Sequence, residues 1–316
     1  MVILNWIDKR FGFLSKTCLL SDNLDKNDFM KSDRQHFLLL FLFLTLAGLA
    51  LNPDLFVEGI RQGERAYQNL PDRVYNMECL KQGRLPLWNP YHFFGNAHIA
   101  LHQTGFFYPL NILLYGILNP LTAIKIMTFL DTLLAGVFMA LYLRRLGTSF
   151  TAAAAGGLTL MTCGYMISHE GHTANHNSIC WIPLLFFFIE GFLEKHDRRN
   201  FAGGVVTLAV LIFAGYMHTV VLTVFMILVY CMMFLILGRR DLRLRIALVL
   251  GVGAMITWGG ILSSVQILTT LVFSPSPRGP ASLMSTSART FSPSVTGPYF
   301  FSPCFCVLDR RILCIA

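Results

Sequence analysis

Long apolar runs alternate along this chain with short polar segments. A helix crossing the hydrocarbon layer takes about 20 mostly apolar residues. Runs of that kind fall near 36–52, 121–143, 149–168, 177–193, 201–217, 219–237 and 245–270. Inside a bilayer every backbone polar group needs a partner within the protein, which a helix supplies by itself. The pattern therefore predicts an all-α integral membrane protein, a multispanning helical bundle of about seven spans. The run 106–118 is apolar but short, broken by Pro109 and closed by Asn119-Pro120. It reads as an interfacial or re-entrant helix.

Three regions follow. Residues 1–35 carry Asp22, Asp25, Lys26, Asp28, Lys31, Asp33 and Arg34, too much charge for a cleaved signal peptide, and read as a cytoplasmic N-terminal tail. Residues 36–272 form the bundle, including a long loop over 53–105. From 273 to 316 the chain is rich in proline and serine with no run of spanning length. That tail is expected to be aberrant, the product of a frameshift or premature stop. Cys304 and Cys306 in it lack nearby ligand partners.

Composition sharpens the class. Hydrophobic residues make up 54% and charged residues 13%, with a mean hydropathy of +0.57. Soluble domains carry roughly 25% charged residues, so a soluble enzyme, a disordered chain and a disulfide-rich secreted module are excluded. The net charge of +8 does not mark a nucleic-acid partner, because the basic residues lie between apolar runs rather than in one stripe. Cys163, Cys180 and Cys231 sit within apolar stretches and read as small hydrophobic side chains.

Charge also orients the bundle. With the N-terminus inside, the short inner segments hold Arg144-Arg145, then Lys195, Arg198 and Arg199, then Arg239, Arg240, Arg243 and Arg245. The short outer connections, around 169–176 and 218, hold no lysine or arginine. Cytoplasmic loops are enriched in both, whereas long loops escape the rule. Loop 53–105, the 169–176 connection and His218 all fall outside on this reading. The predicted location is the inner membrane of a bacterium, multi-pass, with membrane lipids as surroundings.

The outer loop carries the most specific pattern. Gly83-Arg84-Leu85-Pro86-Leu87-Trp88-Asn89-Pro90-Tyr91 is followed by Gly95 and then by Gln103-x-Gly105-x-Phe107-Tyr108-Pro109-Leu110-Asn111. Leu143-Arg144-Arg145-Leu146-Gly147, Trp181-Ile182-Pro183-Leu184-Leu185 and Gly215-Tyr216-Met217-His218 come later in order. This arrangement resembles the YfhO-like family of bacterial membrane proteins over roughly residues 36–275. The resemblance implies a GT-C glycosyltransferase architecture, with sugar moving from a polyprenyl-phosphate carrier to a cell-envelope acceptor on the outer face. It also implies a catalytic acid about 20 residues before the Leu-Pro-Leu-Trp block, where Glu64 stands in place of the usual Asp.

Chemistry asks for the same parts. Transfer to a hydroxyl or amide needs a carboxylate to take a proton or position the acceptor, so Glu64, Asp72 and Asp54 are the candidate catalytic residues. Asp72 has a second reading, as the cap of a helix ending near Gln82-Gly83. The departing lipid phosphate needs cations or amide donors, which Arg61, Arg65, Arg73 and Arg84 can offer. Trp88, Asn89, Gln103, His169, His172 and His218 complete the candidate substrate contacts. His169, His172 and His176 would share one face if helical, but their spacing is not that of a zincin, and Gly171 and Asn175 weaken the helix. No metal ligands are assigned, and a divalent cation is left open as a cofactor.

Asp131 and Glu190 fall within spans, where an ionised carboxylate costs several kcal/mol. Glu190 is expected to pair with Lys195 or Arg198, and Asp131 with Lys125 or a polar residue of another helix. Two rival functions stand beside transfer. One is a lipid-carrier transporter or flippase, which would favour paired intramembrane charges and broken helices. The other is an inactive, truncated membrane fragment.

Overall fold

The computed structural model describes residues 26–59, 64–92, 95–237 and 241–273, with side chains from residue 35 onward. Arg61, most of the N-terminal tail and the segment 274–316 lie outside the described residues. The helices are α1 (Lys26–Leu51), α2 (Leu70–Lys81), α3 (Pro109–Ile117), α4 (Pro120–Arg145), α5 (Phe150–Met161) and α6 (Gly164–Ser168). They continue as α7 (Thr173–Ile179), α8 (Ile182–Lys195), α9 (Arg198–Phe213), α10 (Met217–Leu237), α11 (Leu242–Leu262) and α12 (Ser264–Phe273). Among the described residues the only β pairing is an isolated bridge between Asn89 and Asn96.

Among the described residues, five stretches are long and apolar enough to cross a membrane by length and composition: 120–145, 150–168, 173–195, 217–237 and 242–262. The apolar part of α1, Gln35–Leu51, and the 16-residue α9 are shorter. Three predicted spans are interrupted rather than continuous. The break between α5 and α6 falls at Thr162-Cys163, and that between α11 and α12 at Ser263. A third divides α7 from α8 at Cys180-Trp181, just ahead of Pro183. Proline has no N–H to donate and is tolerated in the first turn of a helix, so α8 starts afresh there.

Helix α10 is apolar on its outward face as well as its buried one, unlike a water-soluble helix. It buries Thr219, Thr223, Ile227, Cys231 and Phe234. Phe225, Met232 and Ile236 point outward at 63%, 61% and 72% exposure. Apolar faces of that extent are unfavourable in water, and lipid is the solvent that accepts them.

The long α4 occupies the centre, against α1, α3, α5, α7 and α8. Leu185, Ile189 and Leu193 of α8 pack with Leu208, Leu211 and Ile212 of α9 and with Val252 and Met255 of α11. At the α4–α5 crossing the backbones nearly touch. A Cβ at Gly157 would lie 2.7 Å from the Gly136 carbonyl oxygen, and small residues at a crossing are what permits such approach within a membrane. Gly157→Leu is expected to force the two helices apart at a cost of about 2 kcal/mol or more. Unfolding midpoints in mixed micelles measure it, and an unchanged midpoint would contradict this packing.

Loop 53–105 folds back onto the helix ends. Gln266 and Thr270 of α12 donate to the carbonyls of Ile99 and Ala100 at 3.4 and 2.8 Å. Gly215, at φ +95°, lies so close to the His102 carbonyl that a Cβ there would clash with it. Thr219 donates to Asn175 at 2.8 Å, joining α10 to α7. The 53–105 loop, the 169–176 connection and the start of α10 thus meet at one end of the bundle.

Candidate functional site

The segment that leads into α2 is helical from Glu64 among the described residues and passes through one wide turn, Arg65–Asn69. That turn aims Glu64 and Arg65 at the connection between α6 and α7, more than a hundred residues away in sequence. The buried Arg65 donates to the Glu170 carboxylate at 3.0 Å, to the Glu170 carbonyl at 2.8 Å and to Asp54 at 3.4 Å. Asn69 donates to the Gly171 carbonyl at 3.4 Å. Glu64 Oε2 lies 2.5 Å from His172 Nδ1, with the two side chains 28% and 46% exposed. A carboxylate and an imidazole in contact, both open to solvent, form a group that can accept and relay a proton.

Asp54, Glu64, Arg65 and His172 are brought together here, with Glu170 as the partner the sequence did not single out. Its signal lay only in the Arg65 pairing across the fold. His169 stands beside them, stacked on Tyr165 with a ring separation of 4.1 Å and 5.7 Å from the His172 ring. Gln103 reaches the same helical segment by accepting from Gln68 at 3.2 Å. His218 is exposed, next to Tyr216. Arg84 is exposed and donates to Gln82. Trp88 covers Gly95 with its ring, while its carbonyl accepts from Tyr75 at 2.6 Å.

Asp72 departs from the capping expectation. Helical backbone is already present at Glu64, so Asp72 sits inside the first turn of α2 and not at its N-cap. Its buried carboxylate faces His92 and His98, each at 3.9 Å. The predicted end of the helix agrees: α2 stops at Lys81 and Gly83 takes φ +66°. His98 Nε2 is 2.9 Å from Asn76 Oδ1, and Asn89 Nδ2 is 3.3 Å from His98 Nδ1. These partners fit a neutral ring protonated on Nε2. Asn89 also accepts from the Tyr91 amide at 2.9 Å, so it holds the loop together.

Burial, then repulsion from His92, pushes His98 down to about 4 from an ordinary 6.5. Burial raises Asp72 above the usual carboxylate range, against the opposing pull of His92 and Arg73. The two act in opposite directions on stability. His98 favours the fold above its ordinary pKa, and that contribution, roughly 3 kcal/mol, is lost as pH falls through 6.5 toward about 4. The Asp72 contribution is present at low pH and lost as pH rises through its raised value, so it offsets part of the loss. A melting series from pH 7.5 to 4 is expected to show acid destabilisation that His98→Asn flattens. An equal slope in the variant would refute the assignment to His98.

The three histidines of the 169–176 connection do not share a helix face. The chain turns between α6 and α7, leaving His172 exposed while His176 is buried, its Nδ1 3.7 Å from Asp131 Oδ2. Asp131 therefore has a partner on another helix, and Cys180 Sγ is also 3.8 Å from it. Lys125 donates instead to the Val57 carbonyl. Glu190 accepts from Tyr230 of α10. Among the described residues no three His, Cys, Asp or Glu side chains are grouped to hold a metal ion.

Arg73, weighed among the outer cations, is buried at 1% exposure between α2 and α3. It donates only to the Asn69 carbonyl, at 3.4 Å, and its Nε and Nη2 have no partner. Compared as a whole with known proteins, the chain matches no protein-family model, no curated protein and no solved structure.

Proposed function

We infer that this chain is a GT-C-type membrane glycosyltransferase, moving a sugar from a polyprenyl-phosphate carrier to a cell-envelope acceptor on the outer face of a bacterial inner membrane. The resemblance of the Gly83–Tyr91 and Gln103–Asn111 blocks to the YfhO-like pattern suggested the class. The observation that carries the reading is the contact between Glu64 and His172, solvent-open and set where the long loop meets the helix ends. In this proposal the chain crosses the bilayer seven times with its N-terminus inside.

Glu64 is the base. The acceptor hydroxyl gives its proton to the Glu64 carboxylate as its oxygen bonds to the anomeric carbon, and the carbon–phosphate oxygen bond breaks to release the lipid phosphate. His172 holds the carboxylate and passes the proton to water. Asp72, enclosed beside two histidines, serves the loop rather than the reaction. Arg65, already engaged by two acids, holds Glu64 against the 169–176 connection.

A lipid-carrier transporter is the second reading, favoured by the buried Asp131–His176 pair and by the three interrupted spans. Purified protein in liposomes, given a polyprenyl-phosphate-linked sugar and an acceptor extract, separates the two. Sugar release supports transfer. Movement of the intact carrier across the bilayer without release would replace it with transport.

A further inference from the structure

The pocket between α2 and α3 encloses Arg73, one of the cations the sequence offered, away from Glu64, and its chemistry is unbalanced. Its lining includes Arg73, Asn76 and Met77 from α2, Gly105 from the linking turn, and Asn111, Ile112 and Tyr115 from α3, and the Asn111 Oδ1 acceptor is also without a partner. The guanidinium lies nine-tenths and more within the protein, yet its Nε and Nη2 donate to nothing, and the Tyr115 hydroxyl beside it has no partner either. Among the described residues no carboxylate forms an ion pair with Arg73. The carboxylates of Asp72 and Asp131 act on it from a distance without accepting a hydrogen bond from it, Asp72 facing two histidines instead. Buried N–H groups that donate to nothing are costly, and a guanidinium fork with free N–H groups matches an anionic oxygen.

Space is kept open at this point. Gly105 adopts φ +57°, and a Cβ there would approach Arg73 Nη2 to 3.3 Å and Asn111 Nδ2 to 2.5 Å. The free volume is about 10 Å³, room for a single oxygen rather than a whole phosphate group. The rim is apolar. Ile112 is 43% exposed at the pocket, and Leu113 and Ile117 continue the outward face of α3 at 55% and 75%. An oxygen at the base and an apolar rim suit an amphipathic ligand better than a free anion.

We propose that the pocket between α2 and α3 seats one phosphate oxygen of an anionic membrane lipid on Arg73, with the lipid chain lying along the exposed face of α3. Arg73 is nine residues from Glu64, about 14 Å along a helix, so the site is distinct from the transfer centre. Its role is to fix the loop on the bilayer surface, and it stands whether or not the chain transfers sugar.

The test is native mass spectrometry of the full chain in detergent with dioctanoyl phosphatidate, dioctanoylglycerol or inorganic phosphate. Wild type is expected to retain one phosphatidate and no diacylglycerol. Arg73→Met, which also removes an unpaired buried charge, is expected to weaken phosphatidate binding about tenfold or more, with Lys81→Gln unchanged. Tyr115→Phe, which deletes only a hydroxyl, is expected to give a loss of severalfold and carries the test if Arg73→Met does not fold. Equal binding by wild type and both variants, or equal retention of diacylglycerol, would overturn the site. Inorganic phosphate displacing phosphatidate at equal concentration would overturn its assignment to lipid.

Discussion

Glu64→Gln is expected to lower the rate of sugar transfer by about 10²- to 10⁴-fold while leaving the fold intact. The substitution keeps the shape and a hydrogen-bonding group beside His172 but removes the charge that takes a proton. Its side chain is 28% exposed, so Gln meets water and no buried partner is stranded. Asp72→Asn is the contrasting variant, because its carboxylate is enclosed by His92 and His98. Its expected effect is on melting, with transfer changed only as far as the loop loosens. Transfer that survives Glu64→Gln at full rate would remove Glu64 as the base. A large rate loss confined to Asp72→Asn would hand the role to the buried acid.

Arg65→Met carries the largest expected loss of stability. The guanidinium is 4% exposed, and the Asp54 and Glu170 side chains it joins are only 16% and 21% exposed. Removing the cation breaks two contacts to half-buried carboxylates at once, and breaking a buried pair costs about 3 kcal/mol or more. The loss falls on a contact that ties loop 53–105 to the turn before α7. Hydrogen exchange over residues 169–172 should rise in the variant along with the drop in melting temperature. Arg65→Lys is expected to recover part of the loss, since an ammonium keeps the charge but not the fork that reaches both acids. An unchanged melting point in Arg65→Met would show that the loop is held by other contacts.

How much could be read along the chain differs from one feature to the next. The apolar runs located the helices because length and hydropathy are local properties. The stop of α2 was equally local, in Gly83. The interruptions at Thr162-Cys163, Cys180-Trp181 and Ser263 were not visible, since an apolar run looks the same whether it is one helix or two. The break across His169, His172 and His176 was more legible, because Gly171 and Asn175 already weakened a continuous helix there. Asp72 was misplaced as a cap because helical backbone is already present eight residues earlier, at Glu64.

Hydrophobic patterning, being a one-dimensional signal, was enough to specify an all-helical chain with lipid-compatible faces and to gather its candidate acids and bases into a few segments. Which of those groups touch was settled by packing between distant segments. Arg65 is neutralised by Asp54 and Glu170, Glu64 is paired with His172, Asp131 with His176, and Arg73 is enclosed with its Nε and Nη2 donating to nothing. A charge finds its partner through space, and burial sets what that partnership is worth, so neither could be counted off along the chain.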